Sequence, residues 1–217
     1  MTEPPAVIAF DVIGTLMSLE PLRDRLPGPD LLEPWYTRTI RDGMTLSATG
    51  GYAAFPDVAA AALRGLTGCG DEQVAGVLAG FADLPAFDDV VPALDKLRAA
   101  SVRVICLTNG PAQFTGQFLD RAGLRRYITR IVSVADVGRW KPFPVVYRYA
   151  AEMLAVPPSQ LALVAAHDWD CHGAKAAGLR TGWVNRQSSG YNPLFLPPDA
   201  TGADLSEVCA ALLAPAA

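Results

Sequence analysis

The chain has 217 residues and a formal net charge of −4, with 51% hydrophobic and 18% charged residues. This length accommodates one compact core with an insertion, and an acidic balance without a lysine or arginine stripe argues against a nucleic-acid-binding surface. No apolar run approaches the roughly 20 residues of a membrane-spanning helix, so we expect neither nucleic acid nor a membrane as a partner.

The cysteines and the first residues indicate the compartment. The four cysteines, at positions 69, 106, 171 and 209, show no CxxC or other metal-ligand spacing, which predicts free thiols in a reducing environment. The opening "MTEPPAVIAF" has neither a basic leader nor a long apolar segment. We therefore expect a cytoplasmic protein.

Strand and helix patterns alternate along most of the chain. Apolar, β-branched runs typical of buried parallel strands occupy 6–10, 102–107, 128–134, 161–165 and 182–184. Helical patterns occupy 87–100, 112–123, 143–154, 170–178 and the C-terminal 204–213, with a Pro/Gly-rich connection at 188–203. The alternation predicts an α/β fold, a three-layer sandwich with a mostly parallel sheet.

Residues 19–86 interrupt this alternation with alanine- and leucine-rich helical stretches and no convincing strand. We predict that they form a helical cap domain, inserted into a core domain of residues 1–18 and 87–217. In an open α/β sheet the chemistry lies beyond the carboxyl ends of the strands. An insertion that leaves the sheet there would overhang the site.

Polar side chains follow each of the predicted strand ends. The clusters are Asp11 with Gly14 and Thr15, Thr108 and Asn109 in "LTNGP", Lys141 in "RWKPFPVVY", and Asp168 and Asp170 in "VAAHDWDCHGA". Each cluster alone is explained equally well by turn formation, helix capping or, for the lysine, solvation. Together they converge on one edge of the sheet.

This order of loops resembles the haloacid dehalogenase superfamily over essentially the whole chain: nucleophile loop, helical cap, Thr/Ser loop, Lys loop, acidic loop. "LTNG", "KPFPVVY" and "WDCHGAKAAGLRTGWVNR" are similar to the type II L-2-haloacid dehalogenase branch. The resemblance implies a hydrolase that cleaves a carbon–halogen bond of a small 2-haloalkanoic acid, an anionic substrate, and it also implies a homodimer.

The resemblance assigns the chemistry to six residues: Asp11, Thr15, Thr108, Asn109, Lys141 and Asp170. Asp11 would attack C2 of the substrate and form an ester, because a carboxylate fixed and partly desolvated by the fold can act as a nucleophile. Lys141, Thr108 and backbone donors would offset the negative charges. Asp170 would position or activate the water that hydrolyses the ester.

Ile13 distinguishes this chain from the phosphatases of the superfamily, which usually carry a second aspartate there. A halide ion is a weak base and needs no proton from such an acid, so an apolar residue favours dehalogenation. Ala166 replaces the first acid of the phosphatases' magnesium loop. We therefore expect no cofactor. The alternatives are a phosphatase with Mg²⁺ at Asp11 and Asp170 and a catalytically silent binding protein.

The substrate-binding residues are predicted to be Ile13, Trp35, Tyr36, Arg38, Tyr147, His167 and Trp169. The aromatic residues among them are equally well explained as core. The branch has a halide-holding arginine after the tryptophan of its first cap helix, whereas here Tyr36 follows Trp35. Arg38 and Arg41 are the candidates to reach the same space from a neighbouring turn, although helix geometry sends positions 36, 38 and 41 in different directions. His167 stands where the branch has asparagine, as a polar substitute, as a proton shuttle or as a locally satisfied histidine.

Overall fold

The computed structural model describes residues 4–186 and 190–214. Its sheet has six parallel strands in the order β3-β2-β1-β4-β5-β6. The strands are β1 (Val7–Phe10), β2 (Arg103–Thr108), β3 (Arg130–Ser133), β4 (Leu161–Ala165), β5 (Arg180–Val184) and β6 (Ala200–Gly202). The five predicted strands are present, whereas β6 was missed because its sequence "ATG" has no apolar run.

Helices alternate with these strands. The α-helices are α1 (Leu32–Ala48), α2 (Phe55–Thr67), α3 (Asp71–Ala79), α4 (Val90–Ala99), α5 (Ala112–Arg121), α6 (Pro144–Met153), α7 (Asp168–Ala176) and α8 (Leu205–Leu213). The helical patterns of the sequence match α4 to α8 within three residues at each end.

The strand side chains separate into two cores because successive residues of a strand point to opposite faces. Ile8 and Phe10 belong to a cluster with α1 to α5 and α8. Val7 and Ala9 belong to a second cluster with α6 and α7. Helices therefore cover both faces of the sheet, and the predicted α/β three-layer architecture is confirmed.

The insertion leaves and rejoins the sheet at one point. Ser18 N–H donates to the Pro85 carbonyl (2.9 Å), and Phe87 N–H donates to the Leu16 carbonyl (3.0 Å). Between these positions lie α1, α2, α3 and short 3-10 turns, and the described residues there form no strand. The boundaries 19–86 for a separate cap domain stay a prediction, since apolar residues of the insertion share one cluster with a face of the sheet.

Two expectations concern the chain as a whole. Among the described residues, no helix has the length and apolar character needed to cross a membrane. The prediction of free thiols is confirmed, with three cysteines buried and Cys69 half-buried.

Candidate active site

A buried lysine bridges two carboxylates at the carboxyl edge of the sheet. Lys141 Nζ donates to Asp11 Oδ1 at 2.9 Å and to Asp170 Oδ2 at 2.8 Å. The lysine and Asp170 are fully buried, and Asp11 is 4% exposed. The sequence-predicted Asp11, Lys141 and Asp170 therefore lie in direct contact.

The topology explains why these three residues meet. Asp11 directly follows β1, and Asp170 lies in the first turn of α7 after the neighbouring strand β4. Lys141 comes from the loop after β3, where its backbone N–H donates to Asn109 Oδ1 (3.1 Å). Asn109 thus holds the lysine loop through its main chain, which gives this predicted residue a positioning contact.

Trp140 connects the loop that carries Lys141 to the insertion through hydrogen bonds. Its backbone N–H donates to Ser47 Oγ (2.8 Å), and its indole N–H donates to the Ala53 carbonyl (3.0 Å). The ring packs on Gly43, where a Cβ would lie 2.3 Å from it. The close approach of α1 to Lys141 therefore depends on a glycine.

Thr15 fixes the second oxygen of Asp11. Its hydroxyl donates to Asp11 Oδ2 (2.8 Å) and accepts the N–H of Ala166 (2.9 Å). Thr108 differs from the sequence expectation of direct charge compensation, since its hydroxyl accepts the N–H of Gly110 (2.9 Å). No hydrogen bond joins Thr108 to Asp11 among the described residues, so Thr108 shapes the turn after β2.

The electrostatics of the lysine and the two carboxylates follow from burial. Burial alone would lower the pKa of Lys141, but the carboxylates of Asp11 and Asp170 outweigh it and raise that pKa above its ordinary value. Burial raises the pKa of Asp170, although Lys141 acts in the opposite direction. The ammonium is therefore held charged, while Asp170 is a stronger proton acceptor than an exposed aspartate.

Tyr147 supports Asp170. Its hydroxyl donates to Asp170 Oδ1 at 2.6 Å, and the side chain is fully buried on α6. Burial first, and the Asp170 charge second, raise the pKa of this phenol well above its usual value. The sequence left open substrate contact or core packing, and the structure shows a buried tyrosine that holds the carboxylate.

Tyr36 and His167 meet above the nucleophile loop. The Tyr36 hydroxyl lies 3.3 Å from both the Ile13 carbonyl and His167 Nε2. His167 Nε2 lies 3.0 Å from the same carbonyl and 3.8 Å from Asp11 Oδ2. A carbonyl only accepts hydrogen bonds, so this geometry requires the proton on Nε2. Two donors therefore converge on the Ile13 carbonyl, with His167 near Asp11.

The position of the imidazole is built into the loop. His167 stacks on Trp169, with centroids 5.2 Å apart and planes at 14°. Gly14 has φ +83°, and a Cβ there would lie 3.0 Å from Nε2. Glycine is thus required at position 14 both by its left-handed backbone and by the ring above it.

Trp35 and Arg38 lie away from Asp11. The Trp35 indole N–H donates to the Ala59 carbonyl (2.8 Å) inside the insertion. The Arg38 guanidinium rests against Gly65 of α2, and its Nε is 3.6 Å from Asp42 Oδ2. The structure brings neither side chain to Asp11, because their positions on α1 face α2.

Two cavities lie beside the loops that carry Asp11, Lys141 and Asp170. A large one of about 780 Å³ lies between α1 and the loops after β3 and β4, and its lining includes Tyr36, Ile40, Arg41, Phe143, His167 and Trp169. A small apolar one of about 40 Å³ is lined by Ile13, Phe55, Phe81 and Phe114, among others. Tyr36 and His167 contribute to the wall of the large cavity, whereas Ile13 contributes to the small one.

The residues do not fit the magnesium alternative. The Lys141 ammonium already bonds both carboxylates that would bind the ion. Asp168 faces elsewhere, since its oxygens accept the N–H groups of Trp169 (2.7 Å) and Asn192 (3.3 Å). A hard cation needs several oxygen ligands around one point, and within 4–186 and 190–214 no cluster of three or more candidate ligands occurs.

Sequence reasoning assigned no role to Arg186, the last residue of "WVNR". In the structure its guanidinium binds the Thr15 carbonyl and the Asp89 carboxylate. The signal in the sequence was an arginine directly after a predicted strand, but its partner 171 positions earlier in the chain was not visible.

Comparisons with known proteins agree with this geometry. The profile of the haloacid dehalogenase-like hydrolases matches residues 5–178. Haloacetate dehalogenase H-2 of Moraxella sp. (strain B) is 25% identical, covering 89% of this chain and 92% of the relative. (S)-2-haloacid dehalogenase 1 of Pseudomonas sp. (strain CBS-3) is 28% identical, covering 97% and 98%.

A solved L-2-haloacid dehalogenase superposes with a TM-score of 0.90 and 29% identity, covering 98% of this chain and all of that one. The profile match spans most of the chain and includes the segments that carry Asp11, Lys141 and Asp170. The chain belongs to the haloacid dehalogenase-like hydrolases.

Proposed function

We propose that the protein hydrolyses the carbon–halogen bond of a small 2-haloalkanoic acid through an ester on Asp11. The observation that carries the proposal is the Asp11 carboxylate itself, which is buried and held by Lys141 on one oxygen and Thr15 on the other. A nucleophile fixed in this way has already lost its orientational freedom before substrate binds. The relatives named for haloacetate and (S)-2-haloacid dehalogenation support the reaction class.

In the first step an Asp11 oxygen attacks C2. The new C–O bond forms as the carbon–halogen bond breaks, the configuration at C2 inverts, and halide leaves with the bonding electron pair. The donors for the departing anion are the Tyr36 hydroxyl and His167 Nε2–H, which bond the Ile13 carbonyl in the structure and turn from it to the halide in place of a guanidinium. Burial first, and the Asp11 charge second, raise the pKa of Tyr36 well above its ordinary value, so its hydroxyl stays protonated.

In the second step water attacks the ester carbonyl of Asp11. The C–O bond to the aspartate carbonyl breaks, the 2-hydroxy acid leaves, and one solvent oxygen remains in Asp11. Asp170 accepts one proton of the water, because burial makes it a stronger base than an ordinary aspartate, and returns it to the departing 2-oxygen. The other proton of the water passes to solvent as the Asp11 carboxylate is regenerated. Lys141 then holds the regenerated carboxylate in place.

The remaining predicted contacts concern the substrate. Trp169 and Ile13 line the cavities beside the nucleophile loop, one on each side. We assign Trp169 to the wall of the path by which the substrate enters and Ile13 to the apolar surface near C2. Arg38 and Trp35 receive no contact with the substrate, since they face α2.

Single-turnover labelling tests the mechanism. Enzyme in excess over L-2-chloropropionate in ¹⁸O-water should release chloride and carry one ¹⁸O in the peptide that contains Asp11. Asp11→Asn should release no chloride, whereas Asp168→Asn, an acid outside the bridged group, should behave as wild type. Chloride release with the label only in the product would contradict the ester.

A chelator separates the two hydrolytic alternatives. Halide release should continue in EDTA, whereas a phosphatase would lose its activity. No observation favours the phosphatase, because Lys141 lies where the two carboxylates would bind a cation. A silent binding protein would show no effect of Asp11→Asn on any substrate in a panel of halo acids and phosphate esters.

Compartment and assembly belong to the same proposal. We propose a cytoplasmic protein because its four cysteines are free thiols. The homodimer rests on the family resemblance, and sedimentation of the purified chain tests it.

A further inference from the structure

We infer that Arg186, with Asp89, is a positioning residue that aligns the Asp11 nucleophile through Thr15. The inference rests on the proposed function, since it concerns the reactivity of Asp11. Arg186 comes just after β5, and its side chain is 12% exposed. It touches neither Asp11 nor either cavity lining, so any effect on turnover must pass through its partners.

The Arg186 guanidinium forms hydrogen bonds both to the nucleophile loop and to the core. Nε and Nη2 of Arg186 donate to the Thr15 carbonyl at 3.2 and 2.8 Å. Nη1 and Nη2 donate to the two carboxylate oxygens of Asp89, each at 3.0 Å. The centroid of the Phe87 ring lies 3.9 Å from the guanidinium carbon, so one face of the group is covered as well.

Asp89 holds the Arg186 guanidinium in a fixed position. Its Oδ2 also accepts the backbone N–H of Leu205 (2.8 Å) at the start of α8. Asp89 itself precedes α4, which packs with α8 in the main apolar cluster. The Thr15 carbonyl is therefore tied to two core helices by a planar fork whose geometry a lysine does not reproduce.

The hydroxyl of Thr15 is the part of the residue that contacts the nucleophile. Its hydroxyl donates to Asp11 Oδ2 (2.8 Å) and accepts the Ala166 N–H (2.9 Å). Carbonyl and hydroxyl belong to one fully buried residue, so movement of the carbonyl shifts the hydroxyl. A misplacement of about 1 Å at a reacting group lowers turnover by as much as about 100-fold.

A double-mutant cycle tests whether Arg186 acts on Asp11 through the Thr15 hydroxyl. Arg186→Ala should lower kcat about 100-fold, with KM changed by less than about threefold because no substrate contact is lost. In a Thr15→Val background, the same change should lower kcat by less than about threefold further, since the route through the hydroxyl is already absent. Full 100-fold losses in both backgrounds would show a merely structural role and overturn the inference.

Arg186→Lys covers the case in which the alanine variant does not fold, because it keeps the charge beside Asp89 but not the fork. It should also lose kcat, and wild-type kcat in this variant would overturn the inference. Arg103→Ala is the matched control. Arg103 also binds a backbone carbonyl, that of Leu154 (3.1 Å), but it lies at the opposite end of the sheet, at the start of β2.

Amide hydrogen exchange decides the point without relying on turnover. The N–H groups of Leu16 and Met17 both bond the Val12 carbonyl at 2.9 Å. They should exchange faster in Arg186→Lys than in wild type or Arg103→Ala, and equal rates would overturn the inference. If the wild-type chain releases no halide, the proposed function fails, while the exchange rates still decide the role of Arg186.

Discussion

Removing the charge of Lys141 should destabilise the protein strongly and in a pH-dependent manner. Lys141→Met keeps most of the side-chain volume but leaves Asp11 and Asp170 without their shared cation. Their bonded oxygens lie no further apart than the two contacts combined, about 5.7 Å. At an effective dielectric constant near 20, two like charges at that distance repel by about 3 kcal/mol. Breaking a buried pair costs about 3–5 kcal/mol, which is the loss we expect at pH 8.

The loss should shrink as the pH falls. Burial raises the pKa of Asp170, and Lys141 opposes this rise, so the variant should raise that pKa further. An acid whose pKa is higher in the folded state binds its proton more tightly there than in the unfolded chain. Its contribution to stability is therefore present at low pH and is lost as the pH rises through the folded-state value. The deficit of Lys141→Met should be largest at pH 8 and smaller at pH 5.

Urea unfolding of wild type and variant at pH 5, 6, 7 and 8 measures this dependence. Lys175→Met is the control, because Lys175 and its partner Asp199 are each 29% exposed and a pair of that kind contributes about 0–1 kcal/mol. A Lys141→Met deficit below about 1 kcal/mol at pH 8, or one that does not change with pH, would refute the assignment of a buried ion triad.

Three further substitutions test other contacts. Tyr147→Phe removes the donor at 2.6 Å from Asp170 and should lower the free energy of unfolding by about 1–3 kcal/mol and reduce kcat; unchanged values in urea and turnover assays would contradict the contact. Gly43→Ala places a Cβ 2.3 Å from the Trp140 ring and should cost about 1–3 kcal/mol despite the better helix propensity of alanine, as thermal unfolding would show. Tyr36→Arg supplies a guanidinium beside Asp11 and should strengthen product inhibition by bromide about tenfold, or 1.4 kcal/mol; an unchanged inhibition constant would place the halide elsewhere.

Much of the fold and the centre of the site were predictable because both follow from local patterns and one topological rule. Apolar runs identified β1 to β5, and parallel strands bring their carboxyl ends to one edge. Asp11, Lys141 and Asp170 were therefore expected at this edge once the strands were placed. β6 was missed because a short edge strand needs no apolar run.

The directions of side chains were not predictable in the same way. Arg38 lies two positions from Tyr36 on α1, and this angular difference points it at Gly65 of α2 instead of Asp11. Thr108 bonds its own turn, a local contact that competes with longer-range ones. Arg186 pairs with residues far away in sequence. The outcomes for Arg38 and Arg186 depend on packing between elements, which a single sequence does not encode at the level of periodicity.

From the charges of the site we expect the insertion to influence which acid binds. Asp11, Asp170 and Lys141 together carry a net charge of −1 before an anionic substrate arrives. Lys141 already bonds both carboxylates, so it contributes little attraction for the carboxylate of the substrate. The donors near Asp11 are the Tyr36 hydroxyl and the Nε2–H of His167, which bond the Ile13 carbonyl in the structure and carry no fixed charge. Apart from Arg41, which lines the large cavity and pairs with Asp42, we expect substrate binding to draw on hydrogen bonds and apolar walls. Tyr36 and Arg41 both lie on α1, which couples that binding to the insertion.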